Sequence, residues 1–72
     1  MTATNRLGKR IKARRQELNM TQVQLAEVSG ITQGHISQLE KGERGPTLAT
    51  LRKLRSALAV EDSEFLMWLD VA

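Results

Sequence analysis

Gln33, Gly34, Ser37 and Gln38 put two amides, a hydroxyl and a bare backbone position within a span of six residues. A glutamine offers a donor and an acceptor side by side, and a serine hydroxyl can act as either, so this group is equipped for directed hydrogen bonds. None of the three side chains is a base or an activated nucleophile by itself. The rest of the chain brings no catalyst to them. Cysteine is absent, His35 is the only histidine, and no glycine-rich phosphate loop follows a strand pattern. The carboxylates Glu61, Asp62 and Glu64 cluster at a predicted helix start, where they suit the positive end of the helix dipole. No enzyme is expected, and no metal or other cofactor, since one histidine cannot build a structural zinc cluster. Recognition is the chemistry that remains.

The charge pattern leaves the object of recognition open. The net charge is +3, made of basic stretches at 1–20 and 41–60, a slightly acidic centre and an acidic segment from 61 onward. Basic stretches are commonly solvated faces, and charge alone does not separate that reading from a nucleic-acid footprint. At 72 residues the chain fits one small domain. A fold of this size buries only about 60% of its unfolded surface, so good helix packing or oligomerisation has to supply stability. The longest apolar run is the five residues from Phe65 to Leu69, far short of a membrane span, and no signal peptide opens the sequence. A cytoplasmic protein without membrane partners is expected.

Five helices are predicted to position these groups, at about 5–18, 22–29, 33–41, 48–58 and 63–70. Leu7, Ile11 and Leu18 make the apolar stripe of the first, with Lys9, Arg10, Lys12, Arg14 and Arg15 between them and Asn19 as a left-handed stop. Thr21 to Gln24 match a capping box, and Gly30 ends the helix that follows. Thr32 caps the third helix and Gly42 closes it. Thr47 caps the fourth, whose core face reads Leu48, Leu51, Leu54 and Leu58. Two short helices around a glycine form a helix-turn-helix pattern, and the fold class is all-α.

The segment from Gln22 to Glu40 resembles the helix-turn-helix of the lambdoid-phage repressor and Cro family, the Xre-like proteins. The matching residues are Gln22, Ala26, Gly30, Ile36 and Leu39, followed by Ile-Ser-Gln-Leu-Glu-Lys-Gly at 36–42, Gly-Pro-Thr-Leu at 45–48 and Leu-Ala-Val at 58–60. The resemblance spans about residues 7 to 66 and implies a compact five-helix, lambda-repressor-like domain. Val23 and Val28 depart from it, standing where the family is commonly polar, and so does Asp62, where the family is usually apolar.

That resemblance implies that Gln33, Gly34, Ser37 and Gln38 meet base edges in the major groove of double-stranded DNA. Glutamine can bond adenine through two atoms, serine can contact any base, and Gly34 permits close approach. Read without the resemblance, they are an exposed polar helix face. No arginine stands among them, so the commonest guanine contact is missing and readout leans on adenine and DNA shape. Gln22, Thr32, His35, Lys41 and Arg44 fall where phosphates are approached, although Gln22 and Thr32 also suit ordinary capping and His35 suits packing at a helix edge. Arg15 and Glu40 align with a buried ion pair tying the first helix to the third, a place where glutamate would repel phosphate. Arg10 and Arg14 are left as phosphate contacts or solvated cations.

The function implied is a sequence-specific transcriptional regulator, a repressor or autoregulator, that binds a palindromic operator as a homodimer. Phe65, Met67, Trp68 and Leu69 are the expected dimer interface. With Phe65, Leu66 and Leu69 turned to the core, the last helix is apolar around too much of its circumference for one buried face. A restriction–modification control protein is a further reading within the same class. The antitoxin of a toxin–antitoxin pair is the alternative outside it, weakened because little chain lies beyond the five helices.

Overall fold

Residues 3–68 are described by the computed structural model of the chain, and every regular element among them is a helix. The order is α1 (Ala3–Glu17), α2 (Gln22–Ser29), α3 (Gln33–Lys41), α4 (Leu48–Ala57) and α5 (Asp62–Trp68). The expected all-α, five-helix architecture is the one the chain adopts. None of these helices is long and apolar enough to cross a membrane.

Local hydrogen bonds account for most helix ends. The Thr21 hydroxyl accepts from the Gln24 backbone N–H at 3.1 Å while the Gln24 side chain accepts from the Thr21 N–H at 2.8 Å, a reciprocal capping box. Thr32 and Thr47 accept from the N–H groups of His35 and Thr50 in the same way. Gly30 and Gly42 end α2 and α3 in the left-handed region, at φ of 74° and 77°. Asn19 does this for α1 at φ 57°. Ala59 was not foreseen in that role. It follows α4 at φ 53°, where the Val60 N–H reaches back to the Arg55 carbonyl.

The core joins all five helices through Leu7, Ile11, Leu25, Ile31, Ile36, Leu39, Leu54, Leu58, Val60, Phe65 and Trp68. Helix α1 packs on α3 and α5, and α2 packs on α3 and α4. Gly8 lies where α1 crosses α3 and faces the Leu39 and Glu40 carbonyls.

Three expected core positions are corrected. Leu18 is exposed because it lies past the last residue of α1, in the turn made by Asn19. Leu48 is exposed as the first residue of α4, about 120° around the helix from Leu54 at 100° per residue. Leu66 is 67% exposed, because Phe65 and Trp68, three residues apart, define the buried face of α5.

That face also revises the expected dimer interface. Phe65 and Trp68 are each only 6% exposed and contact one another, with ring centroids 5.7 Å apart. They belong to the core of their own chain and leave little surface to offer a second copy. Met67 is 74% exposed, and Leu69 lies outside the described residues.

Candidate nucleic-acid interface

Helix α3 is held from below and open above. Ile36 and Leu39 are buried, while Gln33, Gly34 and Gln38 are exposed and Ser37 is half-buried. A Cβ built on Gly34 would meet nothing within 4 Å, so no packing among the described residues requires a glycine there. The turn before α3 is closed by a local hydrogen bond. The Ser29 hydroxyl accepts from the Ile31 N–H at 3.2 Å, and Ile31 itself is a core residue.

Arg15 and Glu40 form a two-point ion pair beneath this face. Arg15 Nε donates to Glu40 Oε2 at 2.8 Å and Nη2 donates to Oε1 at 3.1 Å, with both side chains largely buried. Arg15 Nη1 also donates to the Met20 carbonyl at 2.7 Å, so one guanidinium joins α1, the following turn and α3. Hydrogen bonding to Glu40 holds Arg15 charged, raising its pKa against the opposing effect of burial.

Gln22 extends the pair to the surface. Its Nε2 donates to Glu40 Oε1 at 3.0 Å, and its Oε1 accepts from Gln33 Nε2 at 2.7 Å. Two residues expected at different parts of DNA, Gln22 and Gln33, are therefore directly joined. Thr32 is exposed, with its hydroxyl engaged as the cap of α3. His35 is half-buried, and its Nε2 has no hydrogen-bond partner among the described residues. Burial, then the nearby charge of Arg44, pushes its pKa below the ordinary value. Arg44 is exposed in the loop after α3. Lys41, also exposed, sits in the last turn of α3, two turns from Gln33.

Sequence reasoning missed two structural roles. Arg14 Nε donates to the Leu58 carbonyl at 3.0 Å, which fixes the end of α4 rather than leaving the cation for phosphate. Gly8 allows the α1–α3 approach. The signal for it was a glycine inside an amphipathic helix, a placement that is unfavourable unless packing needs it.

Comparison with known proteins agrees with this architecture. A helix-turn-helix family model, HTH_3, matches residues 11–65. The chain is 39% identical over 57 residues to the immunity repressor protein of Bacillus phage phi105, covering 79% of this chain and 40% of that protein. It is 40% identical over 60 residues to an uncharacterized HTH-type transcriptional regulator of Methanothermobacter thermautotrophicus, covering 83% of this chain and 87% of the other. Its fold is similar to that of the restriction–modification controller protein C.AhdI from Aeromonas hydrophila, with a TM-score of 0.81 and 29% identity over 86% of this chain and 94% of that one. The chain spans less than half the length of several of the curated regulators it matches. The family is broader than the lambdoid-phage branch that the motif first resembles. The chain belongs to the HTH_3, Xre-like family of helix-turn-helix DNA-binding transcriptional regulators.

Proposed function

We propose that the chain represses transcription by occupying a palindromic operator as a homodimer, with the N-terminal half of α3 in the major groove. The observation that carries this reading is the contrast across α3. Ile36 and Leu39 anchor one side in the core, while Gln33, Gly34, Ser37 and Gln38 stand together on the accessible side. A backbone unobstructed at Gly34 suits close approach to base edges. Gln22, Thr32, His35, Lys41 and Arg44 are the proposed phosphate contacts around that face. The exposed Leu66 and Met67 of α5 are apolar surface suited to a second copy, and a dimer would set two recognition helices about 34 Å apart. The similarity to the immunity repressor protein of Bacillus phage phi105 supports repression as the mode of regulation.

Selecting duplexes from a random pool tests the reading directly. An inverted repeat is expected, bound by a dimer in sedimentation at micromolar concentration. Gln33→Ala and Gln38→Ala should each relax preference at one or two base pairs, by about 1–3 kcal/mol. Arg44→Ala should weaken binding to every sequence and lower the salt slope by about one. Recovery of no common sequence, or equal affinity of a monomer for a half-site and the full repeat, would overturn it.

A further inference from the structure

The direction of the hydrogen bonds running from Arg15 to Gln33 follows from chemistry. An ionised carboxylate can only accept, so the Gln22 atom 3.0 Å from Glu40 Oε1 has to be its NH2 group. The other end of that amide, Oε1, is then the acceptor that faces Gln33, and the Gln33 atom 2.7 Å away has to be an NH2 group in turn. A glutamine amide usually turns over at little cost, but here each link removes that freedom from the next.

We infer that Glu40 is a positioning residue for base readout: through Gln22, its charge fixes which way the Gln33 amide faces. One Gln33 N–H is engaged by Gln22, leaving the second N–H and the carbonyl for DNA. That edge, one donor beside one acceptor, matches the N7 acceptor and N6 donor of adenine. Guanine presents two acceptors, N7 and O6, so the fixed carbonyl would face an oxygen. Arg15 has its own part, since its two bonds to Glu40 hold the carboxylate in place. The pair that joins α1 to α3 therefore also sets the polarity of the recognition surface. This inference rests on Gln33 being a base contact, as proposed above.

The test uses the duplex selected by the wild-type protein and its four-base variants at the pair that Gln33→Ala relaxes. Affinities are read by fluorescence anisotropy as a ratio between duplexes. A purely structural loss lowers the active fraction equally for all of them and leaves the ratio unchanged. Wild type is expected to prefer adenine over guanine there by about 5- to 150-fold, the range of one bidentate contact. Glu40→Gln places an amide that can donate or accept, which frees the direction of the Gln22 and Gln33 amides. Its preference should fall below about threefold. Gln22→Met breaks the link while leaving both Arg15–Glu40 bonds and should flatten the preference as well; full discrimination in it counts against the inference even if Glu40→Gln fails to fold.

Full discrimination in Gln22→Met, or in a folded Glu40→Gln, would overturn the inference while leaving Gln33 as a base contact. An unchanged preference in Gln33→Ala would also overturn it, and would leave DNA binding to be explained by the other base-contacting residues. If wild type selects no sequence, both this inference and the proposed function fall.

Discussion

Gly8 and Glu40 meet backbone to backbone where α1 crosses α3: a Cβ on residue 8 would stand 2.8 Å from the Glu40 carbonyl oxygen, and nearer still to that of Leu39. Neither neighbour is a flexible side-chain tip that could swing aside. Gly8→Ala should therefore destabilise the fold by about 1–3 kcal/mol, despite the better helix propensity of alanine. Gly34→Ala meets open space and should stabilise by about 0.5–1 kcal/mol. Thermal melts of the two variants check the contrast, and equal shifts would contradict it.

Removing one partner of the Arg15–Glu40 pair leaves the other buried and uncompensated. Glu40→Ala should cost about 3–5 kcal/mol in DNA-free protein. A circular-dichroism melt close to that of wild type would show that solvent reaches Arg15 readily enough to replace the carboxylate.

His35 gives stability a dependence on mild acid. Its folded pKa lies below the ordinary value near 6.5, so between the two the unfolded chain binds more protons than the folded one. Its contribution is fully present above about pH 6.5 and is lost as pH falls through the folded pKa. His35→Phe should flatten that part of the profile, measured by urea unfolding at a series of pH values. A slope that persists in the variant would assign it to other groups.

Ala59 holds a left-handed conformation that an L side chain disfavours. Ala59→Gly should stabilise by about 1 kcal/mol, or about 4–8 °C in Tm for a domain of this size. Arg14 bonds the backbone carbonyl of Leu58, so that contact survives the substitution. A lower Tm would mean that the flexibility added to the unfolded chain outweighs the relief.

The parts of this fold that were legible in the sequence are those made by residues three to five apart. Thr21 with Gln24, Thr32 with His35, and the stops at Gly30 and Gly42 involve one turn of chain each, so local pattern carries them. Arg14 on the Leu58 carbonyl spans 44 positions, and Gly8 against Leu39 depends on how two helices cross. Periodicity within one helix does not encode either. Helix α5 shows the same limit. Its apolar residues circle the helix, and only packing against the rest of the core decides that Phe65 and Trp68 turn inward while Leu66 and Met67 turn out. In the candidate interface, the residue types of Gln22 and Gln33 are plain in the sequence. Their mutual bond is not, because either glutamine alone has many equally good partners.

The inward turn of Trp68 has an optical consequence. It is the only tryptophan, and it sits 6% exposed beside Phe65 on the last described turn of the chain. Its emission therefore reports the environment of one place, the seam where α5 lies on α1, on the far side of the sequence from the glutamines of α3. A shift of that emission to longer wavelength before the helical signal melts would reveal α5 detaching as a separate step. Coincident transitions would make the seam part of a single cooperative unit. The protein thus carries its own fluorophore at the junction of α1 and α5.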